Sequence, residues 1–136
     1  MTEKTVAVKA VAEEPCGELA LRTVAMPADT NPAGDIFGGW IMFQMDLAAG
    51  LAGTARAHGR VATVAVSNVA FLQPVHVGDA VSCYTQLLRT GRTSLTYAVE
   101  VWVQRARHGT MVHVTAAQFT MVAVDEDGRP RPVPPA

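Results

Sequence analysis

Charge is scarce in this sequence. Asp, Glu, Lys and Arg make up 17% of 136 residues, against about 25% in an ordinary soluble domain. The 11 basic and 12 acidic side chains nearly cancel and form no basic stripe, which argues against a nucleic-acid partner. Cysteine is limited to Cys16 and Cys83, which make no disulfide framework and have no metal-ligand spacing. Cys83 falls in an apolar alternating stretch and reads as a buried thiol. The four histidines, His58, His76, His108 and His113, show no His-x-x-x-His spacing, so a bound metal is not expected. A Gly-x-Ser-x-Gly elbow is also missing, which disfavours a serine hydrolase. Residues 1–18 carry Glu3, Glu13 and Glu14 without an apolar run, unlike a secretory signal. These absences together read as a soluble, cytoplasmic protein of a reducing compartment.

What is abundant is apolar side chain, 49% of the sequence, and with so little charge part of the surface is expected to be covered by other subunits. The apolar residues concentrate first between Ile36 and Ala55. That run is long enough for a membrane span. Gln44 and Asp46 at its centre, five glycines between Gly34 and Gly53 and the lack of basic flanks argue instead for a buried helix, Gly39 to His58, with Gly59 as its C-cap. Strands are expected at Leu19–Met26, Val61–Leu72, Asp79–Leu88, Thr93–Gln104 and Met111–Val124, the middle ones on period-2 alternation. Arg107-His-Gly109 is one of the turns between them. A helix of 20 residues is about 30 Å long, matching strands of about ten residues, so one helix can lie along a five-stranded antiparallel sheet. We therefore expect an α+β domain over residues 17–125, a flexible arm over 1–16 and a Pro-rich tail over 126–136. A single helix leaves a sheet face and edges needing cover, which again points to oligomers.

Asp46 is the residue that most needs a reason. An ionised carboxylate among Met42, Phe43, Met45, Leu47 and Ala49 is costly to bury unless paired, and desolvation would make it a stronger base. It is either a general base or nucleophile, or a structural acid held by a backbone or hydroxyl donor. Asp35, just before the helix, suits capping or loop-bracing, with a place in the site as the second possibility. Asn31 suits either a turn bonded to its own backbone or a substrate-positioning amide. Gly38 and Gly39 open the helix, where bare N–H groups can approach developing negative charge; close packing against a strand is the alternative. Trp40, Met42, Met45 and Leu51 read as core.

Several motifs then converge. Leu21-Arg-Thr-Val-Ala-Met-Pro-Ala-Asp-Thr-Asn31, Gly34-Asp-Ile-Phe-Gly-Gly-Trp-Ile-Met42, Gln44-Met-Asp46, Val75-His-Val-Gly-Asp79, Gly91-Arg-Thr-Ser94 and Val99-Glu-Val-Trp-Val103 resemble the YciA-type acyl-CoA thioesterases. The resemblance runs from about Leu19 to Pro134. It implies the hotdog fold, a long central helix wrapped by a five-stranded antiparallel sheet. It also implies hydrolysis of acyl-CoA without metal or added cofactor (coenzyme A being part of the substrate), and dimers assembled into tetramers or hexamers. Related enzymes pair an Asn or Gln with an acid fifteen positions later, the spacing of Asn31 and Asp46. The resemblance places Gly38 N–H at the oxyanion, with Gly39 beside it, and the turn of Gly91, Arg92, Thr93 and Ser94 at the phosphates of coenzyme A. Arg60, Arg89, Arg129 and Arg131 are weaker phosphate candidates. Two positions depart from the pattern: Phe43, where a bulky ring would shorten an acyl tunnel or face the sheet, and Ser67, where relatives often carry an acid. The competing classes are a non-catalytic acyl-CoA-binding protein and a hotdog enoyl-CoA hydratase.

Overall fold

A computed structural model describes residues 14–105 and 109–136. Most of the expected arm, and most of the Arg107-His-Gly109 turn, lie outside the described residues. The element order is β1 (Glu18–Val24), a short 3-10 turn (Pro27–Asp29), α1 (Gly38–Ala57), β2 (Val61–Phe71), β3 (Ala80–Thr90), β4 (Ser94–Gln104) and β5 (Met111–Ala123). The strands form one sheet in the order β1-β3-β4-β5-β2, every pairing antiparallel. Each expected strand is present, its ends moved by no more than two residues. β3 runs on to Thr90 because its ladder with β4 continues to the Thr90–Leu95 pair.

The alternation seen in the sequence decides which side chains meet α1. Val81, Cys83, Leu95, Tyr97, Val99, Val101, Phe119 and Met121 form the helix-facing layer. The Tyr97 hydroxyl donates to the Ala52 carbonyl of the helix at 3.2 Å. Burial pushes the Cys83 thiol up to about 12, so it stays protonated and inert. Cys83 should resist thiol reagents in native protein at about pH 8 and react only after denaturation; a colorimetric titration with and without denaturant checks this.

Helical period emerges where the sequence showed only apolar residues. Ile41, Gln44, Met45, Ala48, Ala49, Gly53 and Ala57 face the sheet and are buried. Gly53 allows close approach, since a Cβ there would sit 3.2 Å from Met121 Sδ and 3.3 Å from a Val61 methyl. The opposite face is open in the protomer. Leu51, expected in the core, is 56% exposed, and Phe43, Leu47 and Asp46 are exposed beside it. The buried environment expected for Asp46 is therefore absent from a single chain. A helix apolar all round has one face for its own sheet and one left for something else. β2, an edge strand, continues that open surface with Val64, Val66, Val69 and Phe71.

The helix ends differently from expectation. His58, not Gly59, takes the left-handed conformation, with φ of 55°, and both residues donate their N–H to the Thr54 carbonyl. Arg131 of the tail donates to the Ala57 and Val124 carbonyls, placing a cation at the helix C-terminus. Arg56 reaches the Pro134 carbonyl and the Val133 N–H bonds the Arg92 carbonyl, so the irregular tail is strapped across the domain.

Candidate active site

The carboxylate on the open helix face has one partner among the described residues. Asp46 Oδ1 accepts a hydrogen bond from Thr63 Oγ1 at 2.5 Å. Thr63 stands near the start of β2, immediately before the first of two register shifts in that strand. Such a bulge re-aims side chains locally. The second shift contains Asn68, whose φ of 55° only a few residue types tolerate. The two irregularities flank the part of β2 next to Thr63, the strand residue that reaches the acid. Around Asp46 lies an open groove of about 770 Å³ whose apolar walls include Leu47, Leu51, Val61 and Met121. Phe43 is not among its lining residues and is itself exposed, so in the protomer the ring neither shortens this groove nor faces the sheet.

The loop before the helix is braced by its own backbone. Asn31 Oδ1 accepts N–H bonds from Ala33 at 2.9 Å and Asp35 at 3.1 Å, and the Asn31 N–H donates to the Asp35 carbonyl at 2.7 Å. These donors settle which end of the amide is oxygen and leave Nδ2 as the group able to serve a ligand. Asp35 does not cap the helix: the N-cap is Phe37, with no side-chain capping bond. Its carboxylate is exposed, and its contribution to the brace comes from its backbone. The N–H groups of Gly38 and Gly39 donate to no backbone carbonyl among the described residues, leaving two donors at the positive end of α1. Beside Gly38 is a smaller apolar recess of about 300 Å³ that includes Ile36, Ile41, Phe71 and Leu72.

One chain brings together Asp46 and Thr63 but not the whole constellation. Gly38 and Asp46 are eight residues apart on one straight helix, about 12 Å, too far to touch the same carbonyl group. At the β3–β4 turn, Gly91 is held by its N–H to the Ser94 carbonyl at 2.8 Å, and a Cβ there would strike Ser94 Oγ at 2.6 Å. Thr93 accepts from the Ala123 N–H through its carbonyl. Several candidate cations are already engaged. Arg60 donates to the Asp125 and Glu126 carbonyls, Arg89 to Thr96 Oγ1, and Arg131 to the helix end. The exposed Arg92 side chain makes no hydrogen bond among the described residues. No group of three His, Cys, Asp or Glu suited to a metal gathers among them either.

Residues 33–110 match the sequence profile of the Thioesterase superfamily. The chain is 52% identical over 123 residues to the acyl-CoA thioester hydrolase YciA of Salmonella typhimurium, covering 88% of this chain and 92% of that one. The chain belongs to the YciA-type thioesterase family. A hexameric broad specificity acyl-coenzyme A thioesterase, crystallised as an Asp-to-Ala variant, superposes on this thioesterase with a TM-score of 0.85 at 52% identity, covering 88% of each chain. An acyl-CoA hydrolase from Staphylococcus aureus was solved both as an Asn-to-Ala variant with coenzyme A and as an Asp-to-Ala variant. It is 25% identical, covers 84% of this chain and 68% or 70% of the relative, and gives TM-scores of 0.78 and 0.76. Its two substituted positions are fifteen apart, as Asn31 and Asp46 are here.

Thr63 went unnoticed in the sequence because a threonine near a strand start carries no local signal. Only the packing of β2 against α1 makes it a partner of the acid. Thr63→Val should cut turnover about tenfold with little change in Tm, because the carboxylate loses the bond that orients it; steady-state kinetics beside a thermal melt test this.

Proposed function

We propose that this thioesterase hydrolyses acyl-CoA, converting a thioester and water to a carboxylate and free coenzyme A, at a site completed by two subunits. The observation that carries the reading is the pairing of an exposed Asp46, oriented by Thr63, with an apolar groove on a helix face that lacks its cover. A two-fold axis crossing α1 midway between Gly38 and Asp46 would set Gly38 of the partner subunit against Asp46. It would bury Phe43, roof the groove lined by Leu47 and Leu51 without filling it, and lay the exposed edge of β2 against a second copy.

In that arrangement the thioester carbonyl lies at the helix N-terminus, where the Gly38 N–H, with Gly39 behind it, meets the developing oxyanion. Asp46 either takes a proton from the attacking water or attacks the carbonyl itself, giving a mixed anhydride that water then cleaves to the free acid and the regenerated carboxylate. The Asn31 Nδ2 group, from the partner subunit, orients water or carbonyl. Asp35 braces the loop that holds Asn31. The thiolate of coenzyme A leaves and is protonated, and no cofactor is consumed. The nucleotide's phosphates lie toward Arg92, Thr93 and Ser94, with Gly91 shaping the turn and Arg60 and Arg89 further out. Arg92 suits phosphate because its charge is unengaged among the described residues.

The hexameric relative supports a hexamer over a tetramer, and light scattering separates the two by mass. No described helix is long and apolar enough to cross a membrane, and both cysteines are free, which suits work in a reducing cytoplasm. Incubation with a saturated acyl-CoA tests the reaction directly. Thiol release is the expected result. Ligand binding without release would leave a binding protein, and a saturated chain gives a hydratase nothing to hydrate.

A further inference from the structure

Glycine inside a helix weakens it relative to alanine, so each one calls for a reason. Gly53 has a packing reason in its near contact with Met121 and Val61. Gly50 has none among the described residues. A Cβ built there would meet only the Met121 methyl, at the ordinary distance of 4.0 Å. What Gly50 does is line the groove at Asp46, one turn beyond the acid.

We propose that Gly50 sets which acyl chains this enzyme accepts, by keeping the groove beyond Asp46 open along the helix. The inference rests on the thioesterase reading above. The groove takes the acyl chain rather than the nucleotide because its only charged lining residue is Asp46 itself, a poor neighbour for phosphate, while Leu47, Leu51, Val61 and Met121 offer hydrocarbon. From Asp46 to Thr54 and Ala55, the last helix residues that line the groove, the helix advances eight to nine residues, about 12–13 Å. An extended chain advances about 1.2 Å per bond, judged from the roughly 3.6 Å span of three backbone bonds, so the groove holds about ten carbons. A side chain at position 50 would enter that path roughly halfway along it. Medium-length acyl chains are the substrates the groove fits best.

The test compares kcat/KM for butyryl-, octanoyl-, lauroyl- and palmitoyl-CoA in wild type, Gly50→Ala and Gly50→Leu. Wild type should favour octanoyl- and lauroyl-CoA. In Gly50→Leu the ratio of lauroyl to butyryl turnover should fall about tenfold or more, the scale of discrimination that a few methylenes provide in an apolar pocket. Gly50→Ala, which fits without a clash, should show a smaller shift in the same direction and serves as the folding control. An equal loss on every chain length in both variants would overturn the proposal and give the groove to the pantetheine arm. A changed assembly mass for Gly50→Ala by light scattering would overturn it too, making Gly50 a subunit-packing residue. Wild type that releases thiol from no acyl-CoA would instead remove the thioesterase reading beneath it.

Discussion

Asp46→Asn should lower thiol release from a saturated acyl-CoA by about a hundredfold or more, the usual scale for removing a catalytic acid or base. Both open roles for Asp46 give that result, because an amide can neither accept the proton of water nor attack a thioester. The replacement nearly preserves shape, and its carbonyl oxygen can keep the Thr63 hydroxyl that Oδ1 now holds. Asp46 is exposed in the protomer, so no buried cation is left unpaired and the fold should survive. Circular dichroism and an unchanged assembly mass are the controls. Wild-type turnover in a correctly assembled Asp46→Asn would remove the mechanism and leave Asp35 as the acid to test next.

Asp79→Ala should cost about 3–5 kcal/mol of stability, the range seen when one partner of a buried ion pair is deleted. The Asp79 carboxylate is buried between β2 and β3 and accepts from Arg105 Nη1 at 2.5 Å and from the His76 N–H at 2.8 Å. Arg105 also donates to the Pro74 carbonyl at 3.0 Å and lies 3.2 Å from His76 Nδ1. Without the carboxylate, a mostly buried guanidinium and a backbone donor lose their acceptor together. Tm should fall by roughly 10 °C or more, measured at one protein concentration because assembly contributes to it. Asp79→Asn should be milder, retaining an acceptor for His76 while leaving the Arg105 charge uncompensated. A loss below about 1 kcal/mol for the alanine variant would show that water takes over both bonds.

That ion pair illustrates what could not be read in advance. Val75-His-Val-Gly-Asp79 is recognisable as a turn, but Arg105 lies 26 residues away, just past the end of β4, and nothing local joins the two. Thr63 is the same case on the other side of the sheet. Asn31 is intermediate: its Oδ1 makes the local turn that its residue type favours, yet the same bonds leave Nδ2 outside that turn. For Asp35 the local rule misled. It sits close enough to cap α1, but Thr30 bridges to Ile36 and leaves Phe37 at the cap position. The arginines divide similarly, since Arg60 looks like a free surface cation until the chain at Asp125 and Glu126 folds back onto it, and Arg131 until the tail carries it to the end of α1.

By itself the sequence determined the elements and the family and singled out Asn31 and Asp46 as the pair to test, because these depend on short periods and fixed spacings along the chain. Period-2 alternation located the strands, and a turn-rich loop running through Gly38 and Gly39 located the helix start. Tertiary structure decided the strand order, the partner of the acid and the exposure of the acid. Strand order depends on which edges meet, Thr63 reaches Asp46 only because a bulged β2 packs against α1, and a helix apolar on all sides carries no mark of which face its own sheet will cover. Here the sheet took the face of Met45 and Ala49. The face of Leu47 and Leu51 was left open beside Asp46, and that is where the groove lies.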